Sequence, residues 1–435
     1  DTVMKINEMI LYKNTEFYDN LVTMEKLYEG GTGSAEEARN IAAECIGDIL
    51  TLSEKMGFKG NLWHDYLAYI IAYNENAFSM SCERKGSVEG GINACARHDF
   101  TIFMKLFDID LADIDRRYGT CLSMLINFDN NNEHEKYFNK RIRDRIIRLA
   151  ENLAKAEDIN EFYDTVCSFY KEVGVGKYGM FKAFRIGNDD NGKVVVNPVI
   201  SVEHIYLKDI IGYEQQKKKL VDNTEAFLHG LKANNVLLFG DSGTGKSSSI
   251  KAILNEYYED GLRMIEVYKH QFKDLSAVIN QIKDRDYKFI IYMDDLSFEE
   301  FEIEYKFLKA VIEGGLEKKP DNVLIYATSN RRHLVREKYS DKEERDDDLH
   351  SRDTVQEKLS LSARFGVSIY YGSPDKKEFT AIVKGLAQRN NIDIDEETLL
   401  LEANKWELSH GGLSGRTAEQ FINYLSYKLK TDNNR

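Results

Sequence analysis

The stretch VLLFGDSGTGKSS, residues 236–248, decides the reading of this chain. An apolar run, Val236–Phe239, leads into a glycine-rich turn, and an apolar helical pattern at Ile250, Ala252 and Ile253 follows it. Gly240, Gly245, Lys246 and Ser247 fit the spacing G-x-x-x-x-G-K-[ST], with a further glycine at Gly243. Each residue type has a physical task in such a loop. Glycines let the backbone curl until successive N–H groups point inward at phosphate oxygens. A helix beginning near Lys246 adds its positive end to the same point. Lys246 is expected to reach the β- and γ-phosphates and the Ser247 hydroxyl to coordinate Mg²⁺. Asp241, Ser242, Thr244 and Ser248 complete the loop around the phosphates. A chance glycine turn before a helix is the bland alternative, and the strand and helix on either side count against it.

Working outward, strand-like runs alternate with helical patterns. The strands are Val236–Phe239, Leu262–Tyr268, Lys288–Met293, Asn322–Thr328 and Val367–Tyr371. Such alternation predicts a parallel five-stranded α/β sheet with helices on both faces, ligands lying at the carboxyl ends of its strands. Asp294 and Asp295 follow the buried run YKFIIYM. Paired carboxylates there suit Mg²⁺ and an attacking water, Asp294 as metal partner and Asp295 at the base position. Glu299 and Glu300 lie near enough to contribute. Thr328-Ser329-Asn330 ends the fourth strand, where a polar side chain could touch the γ-phosphate or its water, and Arg331 and Arg332 follow as ordinary surface charges. Residues 337–357, containing EERDDD, have almost no apolar content and read as a flexible loop. Arg364 stands just before the fifth strand. Helical patterns run over about 375–390, 395–408 and 415–430, and Arg416 opens the last, where the helix dipole disfavours a cation unless an anion is near.

The 435 residues are too many for one core. The expected division is 1–200 as a mainly helical domain, 201–373 as the nucleotide-binding domain and 374–435 as a C-terminal helical lid. In the first part, Ala38, Ile41, Ala42, Cys45, Ile49, Leu52 and Met56 mark one helix face. Leu62–Ile71, Phe138–Leu153 and Phe162–Phe169 mark others, and Ser34 reads as an N-cap. Residues 183–205 read as a small hairpin or an extended linker. Lys140, Arg141, Arg143, Arg145 and Arg148 make a basic helix face, more simply a solvated surface than a nucleic-acid or partner contact.

The net charge of −14 argues against a general nucleic-acid coat, so nucleic acid is a less favoured partner. No apolar run is long enough to span a bilayer and no signal-like segment opens the sequence, so no membrane role is expected. Five singly placed cysteines suggest reduced, buried thiols in the cytoplasm. Cys95 and His98 have half of a metal-site spacing, with nothing to complete it.

Taken together, residues 209–430 resemble the AAA+ ATPase superfamily. Gly240–Ser247 matches Walker A and FIIYMDD matches Walker B. VLIYATSN puts Asn330 at sensor 1, LSARFG puts Arg364 at the usual arginine finger, and SGR puts Arg416 at sensor 2. Ile211-Gly212-Tyr213 matches the segment that packs near adenine. The runs NNVLLFGDSGTGKSS, DDLSFEE, NVLIYATSNRRHL and EKLSLSARFG are similar to a bacterial family of AAA+ ATPases of unassigned role. The paired aspartates are also similar to the replication-initiator and helicase-loader branch. The resemblance implies binding of ATP or ADP with Mg²⁺ and hydrolysis that remodels or regulates a macromolecular partner. It implies a homo-oligomer, because a finger at Arg364 acts on a neighbour's nucleotide, and partner recognition by the helical N-terminal region. Two other readings stay open: a nucleotide-dependent switch with little turnover, motivated by Asp295 where relatives carry glutamate, and a nucleic-acid-loading ATPase.

Overall fold

The computed structural model describes residues 5–86, 90–129, 139–297, 303–314, 320–330 and 363–432. Phe138, Glu299, Glu300, Arg331, Arg332 and the segment 337–357 lie outside the described residues. The chain divides into two units, residues 1–181 with 199–201, and residues 182–198 with 202–435.

The first unit is helical because its apolar residues recur at helical spacing and each stripe needs another to cover it. Its helices are α1 (Tyr18–Glu29), α2 (Ala35–Met56), α3 (Leu62–Tyr73), α4 (Ala77–Lys85), α5 (Ile92–Phe107), α6 (Leu111–Tyr118), α7 (Lys140–Lys155), α8 (Ile159–Glu172) and α9 (Gly176–Met180). The α2 stripe buries Ala38, Ala42, Cys45, Ile49, Leu52 and Met56, and the Ser34 hydroxyl caps the helix by accepting the Glu37 amide at 3.1 Å. α3 is apolar all round and buried nearly all round, as expected of a helix packed by α2, α5 and α7. Buried Asp99 on α5 gathers the amides of Ile10, Leu11 and Tyr12 at 2.9, 2.7 and 3.0 Å, fixing the N-terminal segment to this core. Cys45, Cys82 and Cys167 are buried, whereas Cys95 is partly covered and Cys121 exposed, which corrects the expectation of uniformly buried thiols.

The second unit is built on a sheet. Its strands are β1 (Ala183–Asn188), β2 (Val194–Pro198), β3 (Val236–Gly240), β4 (Leu262–Glu266), β5 (Lys288–Met293), β6 (Val323–Ser329) and β7 (Val367–Tyr371), in the order β2-β1-β4-β5-β6-β3-β7. Among the described residues the sheet therefore has seven strands, not the five expected. The difference is the hairpin β1–β2: it pairs antiparallel within itself, and β1 then runs parallel beside β4, with Phe184 opposite Ile265. Two extra strands thus extend one edge, and residues 183–198 belong with the sheet rather than with the first 200 residues. The remaining pairings are parallel, so the ends of β3, β5 and β6 lie on one edge.

The helices α10 (Glu214–Leu228), α11 (Lys246–Tyr257), α12 (Leu275–Ile282) and α13 (Ile303–Glu313) lie between or before these strands. Leu220 and Phe227 of α10 and Ile250, Ile253 and Leu254 of α11 join Val236, Leu238, Ile290 and Tyr326 of the sheet in one core. After β7, helices α14 (Lys376–Arg389), α15 (Glu396–Ser409) and α16 (Gly415–Asp432) close around their own cluster, with Phe379, Val383, Phe421, Ile422 and Leu425 at its centre.

Candidate nucleotide site

The loop after β3 has the backbone that its glycines permit. Gly240, Gly243 and Gly245 hold φ of 134°, 74° and 89°, in the region side chains rarely enter. At Gly240 a Cβ would lie 2.1 Å from the Tyr371 carbonyl oxygen, so the loop leaves β3 only because that atom is absent. Among the described residues no backbone carbonyl takes the amide of any residue from Ser242 to Ser248. A curled run of donors at the N-terminal end of α11 is an anion cradle.

Lys246 is 5% exposed, and its ammonium donates to the carbonyls of Gly240 at 3.2 Å and Asp241 at 2.5 Å. Burial holds its pKa below the ordinary lysine value, against the pull of Asp241, Asp295 and Asp294. Ser247 donates its hydroxyl proton to Asp294 Oδ1 at 2.6 Å. The Thr328 hydroxyl donates to the same oxygen at 2.6 Å. Partial desolvation opposes ionisation of Asp294, yet these hydrogen bonds hold its carboxyl below the usual range. Asp295 adopts φ of 50°, left-handed for a residue other than glycine. Its amide donates to Thr328 Oγ1 at 2.9 Å, and Asn330 Nδ2 donates to its Oδ1 at 2.8 Å.

The cavity over this edge measures about 600 Å³. It is lined by Ile211, Tyr213, Ser242 to Ser248, Asp294, Asp295, Asn330 and Arg416 from the sequence reading. Three strand ends, the segment before α10 and the start of α16 bring these together. Gly212, with φ of 83°, shapes its segment without lining the cavity. Ile211 packs so closely on Gly385 of α14 that a Cβ there would lie 2.3 Å from its Cδ1. The Tyr213 hydroxyl donates to the Gly372 carbonyl at 2.9 Å, its ring stacking on Tyr371 at 5.1 Å. Arg416 is exposed, and its amide donates to the Gly243 carbonyl at 3.2 Å.

Asp241 and Arg364 face elsewhere. The Asp241 carboxylate accepts the amide and the hydroxyl of Ser373, each at 2.8 Å, and these bonds hold its pKa down. Arg364 pairs with Glu313 at 2.5 Å and does not line the cavity. Thr328, from the polar end of the fourth strand, lines the cavity as well, and lining residues that the sequence reading missed are Ile205, Asp209, Ile210, Ile382, Leu386, Arg389 and Glu419. Arg389 reaches Asp209 at 3.6 Å across 180 positions of sequence, a pairing that no local pattern announces.

A family model described as "Protein of unknown function (DUF815)" matches residues 180–429, more than half of the chain. The chain belongs to the DUF815 family. No curated protein matches it in sequence. Among solved structures it is similar to the Thermotoga maritima RuvB Holliday junction branch migration motor, at 18% identity and a TM-score of 0.38 over 52% of this chain and 66% of that one. It is also similar to the FIGL-1 AAA domain in complex with ADP, at 19% identity and a TM-score of 0.35 over 52% and 73%. Likenesses this distant say nothing about activity. In this DUF815 chain the glycine-rich loop after β3 has the acidic end of β5 across from it and Asn330 at the end of the strand between them.

Mg²⁺ takes hard oxygen ligands, few of them from protein, and fills its shell with water and phosphate. A hydroxyl and an ionised carboxylate 2.6 Å apart beside an anion cradle fit that requirement. Ser247 and Asp294 are the residues that would hold it.

Proposed function

We propose that this DUF815 protein binds Mg·ATP in the cavity over the β3, β5 and β6 ends and hydrolyses it. The observation that carries the reading is the run of unclaimed amides from Ser242 to Ser248, facing an acidic strand end already hydrogen-bonded to Ser247. Lys246 exchanges its carbonyl partners for phosphate oxygens. Ser247 and Asp294 would hold Mg²⁺ there, which would supply neutralisation of the phosphate charge. Asp295 and Asn330, already joined, orient the attacking water, and Arg416 reaches the phosphates from α16. Ile205, Ile210, Ile211, Ile382 and Leu386 supply an apolar wall for the base.

Arg364, engaged with Glu313 away from its own cavity, serves a neighbouring copy, so turnover requires a homo-oligomer. The helical N-terminal unit recruits the protein that the motor acts on, in the cytoplasm. Nucleic acid is a less favoured partner of a chain of net charge −14.

One observation favours a second reading, a nucleotide-dependent switch with little turnover. Asp295 is shorter than glutamate, and its left-handed backbone and Asn330 hold it back at the strand end. Steady-state ATPase rate against protein concentration separates the two. Hydrolysis rising with concentration, lost in Lys246→Ala and Arg364→Ala but partly restored when those variants are mixed, supports the motor. A rate at background for the wild-type chain at every concentration, with Mg·ATP still bound, supports the switch.

A further inference from the structure

We propose that Thr328 is the positioning residue that sets both acidic groups of the site, and through them the metal dependence of nucleotide binding. The inference rests on the Mg·nucleotide reading above. Thr328 is 2% exposed at the end of β6, the strand between β5 and β3. Its single hydroxyl makes two bonds of opposite sense. It donates to Asp294 Oδ1 at 2.6 Å and accepts the Asp295 amide at 2.9 Å. An ionised carboxylate takes the one proton, which turns a lone pair of the oxygen toward the Asp295 N–H.

Two consequences follow from that geometry. Of the two hydroxyls on Asp294 Oδ1, Ser247 is itself a metal ligand in this reading, so Thr328 is the donor left to orient that oxygen. Outer hydrogen bonds of this kind tune a ligand's direction and basicity. Second, Asp295 sits in a strained left-handed conformation, and Thr328 ties that turn twice: through its hydroxyl, and through its carbonyl, which accepts the Leu296 amide at 2.7 Å. The β-branched side chain on a strand also keeps its own χ1 narrow, so the hydroxyl is held in place before any ligand arrives. Valine at this position keeps the shape and removes both hydroxyl bonds. Serine keeps the hydroxyl and loses the methyl.

The test is binding of a fluorescent ADP analogue to the full chain, in EDTA and across a Mg²⁺ titration, for the wild type, Thr328→Val and Thr328→Ser. In Thr328→Val, metal-free affinity stays within about twofold while the Mg²⁺ needed for half of the metal-dependent gain rises roughly 10- to 100-fold. Thr328→Ser returns to within about threefold of the wild type, the hydroxyl being what matters. An unchanged Mg²⁺ requirement in Thr328→Val overturns the proposal. So does a serine variant as impaired as the valine one, or an equal loss of affinity in EDTA, since each would assign the position a packing role only. A wild-type chain that binds the analogue in neither buffer removes the nucleotide reading and this proposal together.

Discussion

Lys246 is the residue on which most of the electrostatics converge. Its ammonium is buried, its own loop's carbonyls hold it, and three carboxylates pull on it. Replacing it with alanine removes charge-assisted hydrogen bonds to phosphate, and nucleotide affinity should fall by about 100-fold in equilibrium binding. An affinity within threefold of the wild type would place the phosphates elsewhere. A second residue-scale expectation concerns the helical unit. Asp65 on α3 is 3% exposed, its Oδ2 lacks a hydrogen-bond partner among the described residues, and burial, reinforced by Glu151, pushes its pKa up to about 8. The unfolded chain ionises this carboxyl near pH 4 whereas the folded chain keeps the proton, so the group costs stability increasingly as pH rises between those values. Asp65→Asn should therefore slow hydrogen exchange of the α3 amides, and more at pH 8 than at pH 5. An effect that shrinks as pH rises would contradict this. The phosphate-loop residues were legible because their task is local: glycine, lysine and serine at fixed spacing between a strand and a helix. The direction of Asp241 was not, since nothing in GDSGTGK says that its carboxylate turns to Ser373. Nor does a sequence show that Asp295 carries φ of 50°.

At the scale of elements, the five strands from β3 to β7 announced themselves as apolar runs, and the shifts at their ends are a residue or two. The β1–β2 hairpin was readable as a turn between Asn188 and Val194, but its membership of the sheet was not. Its pairing with β4 joins residues some 80 positions apart, and the short run ending at Pro198 has no stronger strand signal than a linker would. The apolar wall of the cavity was hidden for the same reason: Ile205 and Ile210 come before α10, while Ile382 and Leu386 come from α14. Only Ile211 was reached, through the family resemblance. The contact between Ile211 and α14 makes an element-scale prediction. Gly385→Leu places a side chain where Ile211 Cδ1 already lies, so the segment before α10 must move away from α14. Affinity for adenine nucleotides should drop about tenfold, whereas inorganic triphosphate, which needs no base wall, should bind as before. Equal losses for both ligands would point to general unfolding instead.

For the whole molecule, the nucleotide reading places every ligand contact in the second unit, residues 182–198 with 202–435. Ligand bound only to the native state stabilises it in proportion to the logarithm of its concentration over Kd. Saturating Mg·ADP should therefore raise hydrogen-exchange protection in β3, α11, β5 and β6, with α2, α3 and α5 of the helical unit unchanged. Protection appearing in the helical unit instead would put the ligand on the wrong part of the chain. The most direct measurement is calorimetric titration of Mg·ATP into the full chain and into Lys246→Ala. The account predicts saturable binding at one site per chain, and an affinity about 100-fold weaker in the variant. Heats indistinguishable from dilution for the wild type, or equal affinities for the two proteins, would contradict it.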